Sequence, residues 1–300
     1  MPGDLGMPLM ALDAELSVAA AALARQSLIT FTLSTFPHYE ASWHHERVAR
    51  ALDLVLAGRC RRLMVFMPPQ TGKSELVSRR FPAYALGRNP DLRIVACSYG
   101  ADLAGDLSRD VQRIVASPEY AAVFPGTQLA EGRTLDVRNS QQFSVVGHRG
   151  AYHSAGVGGG ITGKTADVGI VDDPVKNRAE AESDIYRKGV WDWYASTFLT
   201  RQFGDKGAIV LACTRWHEDD LAGRLLRIEP RQWTVVSLPA IAECDERHRR
   251  AGESLWPSKY PLDELARRRA VMGEYEWSSL YQQRPTPPGG ALFKEVWFAD

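Results

Sequence analysis

The chain has 300 residues, 45% of them hydrophobic, with 36 basic and 36 acidic side chains. That supplies apolar matter for one large α/β domain or two small ones, and the balanced charge excludes a globally basic nucleic-acid wrapper, so any basic surface is local. The longest apolar stretch near the N-terminus, Val18 to Ala24, is too short for a bilayer and lacks a basic start or cleavage site. The cysteines Cys60, Cys97, Cys213 and Cys244 form no C-x-x-C pair, which argues against zinc or a disulfide framework and fits a reducing cytosol.

Residues 1–30 are alanine-rich and helical in character. Trp43 to Gly58 reads as an amphipathic helix: Val48, Leu52, Val55 and Leu56 recur at helical spacing and Gly58 stops it. Leu63 to Met67 is a first strand, and the helix after it meets Pro82, so it kinks or ends near Phe81. Leu92 to Cys97 is a second strand, followed by a helix over Ala101 to Val115. Thr134 to Val137 and Gln142 to Val146 read as a hairpin. Val157 to Lys164 is a glycine-rich loop, equally compatible with a flexible surface and with nucleotide or nucleic-acid contact. A short apolar strand over Val168 to Val171 leads into Asp172. Glu180 to Thr200 is helical, Ala208 to Cys213 a buried strand, His217 to Leu226 a helix with acids in its first turn, and Trp233 to Leu238 a further strand. Leu262 to Met272 is a helix bearing Arg267, Arg268 and Arg269, and Arg284 to Gly290 has linker composition.

This order of elements predicts an α/β three-layer fold, a mainly parallel central sheet flanked by helices, plus a small C-terminal lid, which the two motifs described next make a P-loop NTPase fold. The expected divisions are an N-terminal helical region over 1–38, an ATPase core over 39–239, a lid over 240–284 and a linker over 285–300.

Two motifs carry chemistry. In RLMVFMPPQTGKSE a strand stops at two prolines and a turn delivers Gly72, Lys73 and Ser74 to the start of a helix. Backbone N–H groups at such a helix start point at phosphate oxygens. Pro69, Gln70, Thr71, Gly72, Lys73 and Ser74 are the expected nucleotide contacts, with Lys73 on the β/γ-phosphates and the Ser74 hydroxyl on Mg²⁺. The pattern is incomplete, because Met67 stands where G-x-x-x-x-G-K-[ST] has its first glycine, and a bare GKS also occurs in surface turns. The second motif is ADVGIVDDP. Its strand ends in adjacent carboxylates, of which Asp172 is expected to hold Mg²⁺ and Asp173 to orient and deprotonate the attacking water. Asp-Asp-Pro is also turn chemistry. With a GKS a hundred residues upstream the catalytic reading is preferred, on the expectation that the two strands lie side by side in one parallel sheet.

The blocks MPPQTGKSELVSRRFPAYALG, RIVACSYGADLAGDLSRDVQRI, ITGKTADVGIVDDPVKN, LACTRWHEDDLAGRLL and LYQQRPTPPGGALF resemble the ATPase half of the phage terminase large subunit, the motor that packages viral DNA, from about Tyr39 to Phe298. The resemblance implies ATP and Mg²⁺ as cofactors. It implies double-stranded DNA, a portal protein and a small terminase subunit as partners, a ring of identical subunits when assembled, and action in the bacterial host cytoplasm. It places phosphate and Mg²⁺ contacts on Lys73 and Ser74, Mg²⁺ on Asp172, water polarisation on Asp173, the start of a coupling segment on Thr214 and a γ-phosphate sensor on Arg215. Arg215 alternatively pairs with the acids of the next helix. Such motors also carry a C-terminal nuclease, which is not expected in this sequence. Many relatives have a basic residue just before GK, where this chain has Gln70. Arg133, Arg138 and Arg149 are candidates for an arginine supplied from elsewhere. A helicase-like translocase and an inactive prophage remnant that binds nucleotide or partners without turnover are the alternatives.

Overall fold

The computed structural model describes residues 18–130, 136–202 and 204–286. Its elements, in chain order, begin with helices α1 (Leu28–Thr35) and α2 (Trp43–Leu56), strand β1 (Arg62–Phe66) and a π-helical segment (Glu75–Arg80) that runs into α3 (Phe81–Arg88). Next come β2 (Arg93–Ser98), α4 (Ala101–Val115), α5 (Pro118–Val123), β3 (Gln142–Ser144), β4 (Ala151–Gly156) and β5 (Val168–Asp172). Then follow α6 (Arg178–Glu182), α7 (Asp184–Trp193), β6 (Ala208–Cys213), α8 (Leu221–Ile228), β7 (Thr234–Ser237) and α9 (Leu262–Glu276).

The strands form one seven-stranded sheet in the order β3-β4-β2-β5-β6-β1-β7, parallel throughout except for β3 on β4. Side chains alternate across a strand, and the central strands bury both alternations. Leu63 and Val65 of β1 enter one core with Val48, Leu52, Leu76, Phe81, Val111 and Val210. Met64 and Phe66 enter a second core with Trp193, Tyr194, Phe198, Ile209, Leu211 and Leu225. Hence these strands read as unbroken apolar runs, the signature of a sheet covered by helices on both faces. A third, smaller core of Ala240, Trp256, Tyr260, Leu265, Trp277 and Tyr281 lies in the segment expected to be a lid. The three-layer parallel architecture read from the sequence is the one observed.

Several local expectations differ. β1 and β5 are not neighbours: β6 lies between them, pairing Phe66 with Cys213 and Asp172 with Ala212. All three nonetheless end level, so the loops after them still meet. β4 was not expected, because its sequence AYHSAG lacks a run of large apolar residues. It buries only alternate positions, and it provides the antiparallel partner of β3 that Thr134 to Val137 was expected to supply. Thr134 lies outside the described residues, while the Ser144 N–H donates to the Val137 carbonyl and the Val137 N–H to the Ser144 hydroxyl, across a turn closed by the Asn139 side chain. Pro82 does not end its helix. The helix passes from π to α geometry at Phe81, next to Pro82, and continues to Arg88. The helix expected over Glu180 to Thr200 is broken at Ser183, whose hydroxyl caps α7. The helix expected from His217 starts at Leu221, because the Asp220 carboxylate accepts from the Gly223 N–H at 2.8 Å and caps it there. Residues 1–17 and most of the expected linker fall outside the described residues.

The loop after β1 is fastened from behind by α2. His45 receives the Ser42 N–H on Nδ1 at 3.0 Å, which leaves Nε2 to donate to the Thr71 carbonyl, also at 3.0 Å. His44, tilted, and Trp256, edge-on, pack around it with ring centres 3.9 and 4.8 Å from His45. Gly72 passes so close that a Cβ there would lie 2.5 Å from His45 Nε2. Burial pushes the His45 imidazole down from 6.5 to about 4, against the Thr71 bond and with help from the Lys259 charge. Burial together with His45 pushes His44 down to about 3. Both bases are depressed, so the unfolded chain binds more protons than the folded one between about pH 6.5 and pH 4. Stability is therefore lost as pH falls through that window. Thermal midpoints measured from pH 7 to pH 4.5 should show this loss. His45→Asn, which keeps a donor for Thr71, should reduce it by on the order of 2 kcal/mol, and an unchanged slope would contradict a buried neutral pair.

Candidate functional site

β1 releases the chain at Met67, and Pro68 and Pro69 end the strand pattern. The Thr71 hydroxyl donates to the Pro68 carbonyl at 2.7 Å and closes the turn. Gln70 and Gly72 take left-handed backbone angles, with φ 59° and 93°. For glycine that conformation carries no side-chain penalty. The turn delivers Lys73 and Ser74 to the N-terminal end of the Glu75–Arg80 segment, where free N–H groups and the helix dipole favour an anion.

Lys73 is buried, and its Nζ lies 2.5 Å from Asp173 Oδ1 and 3.6 Å from Asp172 Oδ1. Burial works against the ammonium, but the two carboxylates outweigh it and hold its pKa above the ordinary value. Asp172 is also buried. Burial pushes its pKa up and Asp173 adds to that, while Lys73 and the hydroxyls of Ser78 and Ser74 pull it back. Its Oδ2 accepts from Ser78 Oγ at 2.6 Å, and its Oδ1 has no hydrogen-bond partner. Asp173 breaks out of the strand with φ 45°. Its N–H donates to the Ala212 carbonyl, its carbonyl receives the Tyr99 N–H, and Oδ1 receives the Thr214 N–H at 2.9 Å in addition to Lys73. Such a left-handed non-glycine residue persists where its surroundings over-determine it.

These groups border a cavity of about 540 Å³. Of the residues singled out from the sequence, Pro69, Gln70, Gly72, Lys73, Ser74, Asp173 and Thr214 line it. Thr71 does not, because its side chain is spent inside the loop. Asp172 stands behind Lys73. Arg215 is turned away: its Nε pairs with Asp220 Oδ2 at 2.7 Å and its guanidinium lies over the Phe66 ring at 5.0 Å. That is the pairing with the acids of the next helix that the sequence also allowed for it. Neither Arg138 nor Arg149 lines the cavity. Arg138 donates to the Ala130 carbonyl at 3.0 Å, and Arg133 lies outside the described residues. The glycine-rich 157–164 loop does not line it either, and Ile161 is used in the second core.

The cavity has walls that the sequence reading missed. Tyr99 and Trp216 supply aromatic surface, and Arg79, Lys176 and Lys259 supply charge. Tyr99 directly follows β2 and Trp216 follows β6 by three residues. Position at the carboxyl end of a parallel strand was the available signal, since ligands bind such sheets there. Lys259 is distant in sequence from any motif and left no signal.

Among the described residues there is no cluster of three or more His, Cys, Asp or Glu side chains able to hold a metal alone. Asp172 Oδ1, which accepts no hydrogen bond, and the Ser74 hydroxyl are hard oxygen donors that fit a Mg²⁺ ion sharing its remaining positions with phosphate and water.

Comparison with known proteins follows this geometry. A family model described as "Terminase large subunit, T4likevirus-type, N-terminal" matches residues 64–300. The ATPase domain of a Thermus phage large terminase, solved as a mutant, has a similar structure, with TM-score 0.53 at 13% identity over 85% of this chain and 97% of that one. The large terminase of bacteriophage HK97 gives TM-score 0.56 at 12% identity over 83% of this chain and 52% of that one, so this chain spans about half of that protein. At such identities these likenesses establish the fold. No curated protein matches. The family model covers well over half of the sequence, and the chain therefore belongs to the T4-like-virus-type large terminase subunits, of which it carries the N-terminal ATPase-domain region.

Proposed function

We propose that the chain is the ATP-hydrolysing motor domain of a phage DNA-packaging terminase, coupling Mg-ATP hydrolysis to movement of double-stranded DNA into a capsid. The observation that carries this reading is the convergence of Lys73 on Asp172 and Asp173, at 3.6 and 2.5 Å, beside a cavity at a helix N-terminus. Lys73 exchanges its carboxylate partners for β/γ-phosphate oxygens, and the 72–74 backbone N–H groups bind the same anion. Asp172 Oδ1 and Ser74 hold the metal, which neutralises the phosphate charge. Release from Lys73 frees Asp173 to orient a water. The water oxygen bonds to the γ-phosphorus, the bond to the ADP oxygen breaks, and the water proton passes to Asp173 and on to solvent. Thr214, whose N–H holds Asp173 Oδ1, registers that change at the end of β6.

DNA contact is assigned to a basic cleft of about 570 Å³ between α2 and the 240–284 segment, where Arg47, Arg50 and Arg247 are exposed and form no ion pair among the described residues. Glu46 and the stacked Trp43–His248 pair complete it. The run Arg267 to Arg269 is a poorer candidate, because Glu264 and Glu274 neutralise it. Portal and small-subunit contacts, ring assembly and action in the host cytoplasm belong to this same proposal. Among the described residues no helix is long and apolar enough to cross a membrane.

Lys73→Ala and Asp172→Asn are each expected to lower Mg²⁺-dependent ATP hydrolysis at least ~100-fold. Equal phosphate release by wild type and variants would refute the site assignment. Replacing Arg47, Arg50 and Arg247 together by Gln should weaken duplex DNA binding regardless of sequence. It should also make the slope of log affinity against log salt shallower by about 2–3. An unaltered salt slope would remove DNA from that cleft.

A further inference from the structure

A triphosphate needs positive charge at its terminal phosphoryl group, and this loop has no basic side chain from Met67 to Gly72. The other cations around the cavity are unequally placed to supply it. Lys73 is held by two carboxylates. Arg79 is committed to Asp110 at 2.7 Å and to Glu75 at 3.7 Å. Lys176 follows β5, with its ammonium over the Tyr99 ring at 5.8 Å.

Lys176 and Lys259 both form no ion pair among the described residues, and Lys259 differs from Lys176 in reaching the phosphate loop itself. It belongs to the 240–284 segment, yet its Nζ donates to the Gln70 carbonyl at 3.3 Å, on the phosphate loop itself. It forms no ion pair among the described residues, so its charge is not cancelled. The left-handed turn at Gln70 presents that carbonyl to both Lys259 and the Tyr260 hydroxyl, which also bonds it at 3.3 Å. The ammonium lies over the Trp256 ring at 4.7 Å, and Trp256 packs edge-on against His45 at 4.8 Å, the residue that grips Thr71. The lysine therefore rides on an aromatic block joined to the loop. A neutral carbonyl at 3.3 Å is a weak partner, and a phosphate oxygen offers a stronger, charge-assisted bond.

We propose that Lys259 is the cation that contacts the terminal phosphate of the bound nucleoside triphosphate, supplying from the 240–284 segment the charge that Gln70 cannot. This rests on the nucleotide-site reading above. Any movement of that segment away from the loop would withdraw the charge, so the position of the segment and the affinity for the terminal phosphate are linked.

The test compares Mg²⁺-dependent binding of ADP and of ATPγS to wild type, Lys259→Gln, Lys259→Met and Lys259→Arg. Wild type should favour ATPγS. Lys259→Gln and Lys259→Met should shrink that preference at least ~tenfold while ADP affinity stays within about threefold, and Lys259→Arg should restore it. Lys259→Met keeps an apolar stem against Trp256, so a packing role alone would leave its preference intact. If Lys259→Gln retains the wild-type preference, or loses ADP and ATPγS affinity equally, the inference falls and the nucleotide site stands. If wild type binds neither nucleotide, the site reading falls and this inference with it.

Discussion

Lys73 reaching the carboxylates at the end of β5 is the contact on which the rest of the structure depends. Burying the Lys73 ammonium and the Asp172 carboxylate is costly, and the cost is offset only when each charge is paired and hydrogen-bonded. Here the accounting is nearly complete. Asp173 receives Lys73 and the Thr214 N–H, and Asp172 receives Ser78. The atom left over is Asp172 Oδ1. It lies 3.6 Å from the Lys73 ammonium, and as a hard oxygen donor it has the chemistry that suits Mg²⁺. Such a contact needs three strands to end level, which the parallel register of β1, β6 and β5 provides.

Pairing at the front of the loop would be loose without support behind it. His45 holds the Thr71 carbonyl, Thr71 holds Pro68, and the Trp256 ring presses on both histidines. This backing is polar at the points of contact and aromatic elsewhere, and burial keeps its imidazoles neutral. The left-handed angles at Gln70 and Asp173 are the local cost of aiming a carbonyl and a carboxylate at one cavity.

The 240–284 segment touches this site at separate places. Lys259 and Tyr260 hold the Gln70 carbonyl. Arg178, just after β5, donates through Nε to Glu276 at 2.8 Å and through its guanidinium to the Trp216 carbonyl at 2.5 Å, lying over the Tyr275 ring at 4.5 Å. Gln283 accepts from the Arg215 N–H at 3.4 Å. The segment thus meets the loops after β1, β5 and β6 through polar contacts, while six of its apolar residues gather in a core of their own and Leu255 enters the first core.

The sequence by itself determined the parallel sheet, its two covered faces and the principal loop, because these depend on local signals. Apolar runs such as VGIVD and AIVLAC admit only a strand buried on both sides, and a turn carrying Gly72-Lys73-Ser74 into a helix is written in adjacent residues. β4 escaped because its small and polar residues are stabilised by neighbours on the sheet and not by their own pattern. Tertiary structure alone decided that β6 separates the two motifs, that Arg215 is occupied by Asp220 and that Lys259 stands on the Gln70 carbonyl. These are matters of which distant residues meet. Strand order and side-chain partners are fixed by packing the whole chain at once, whereas propensity and periodicity act over a few neighbouring residues.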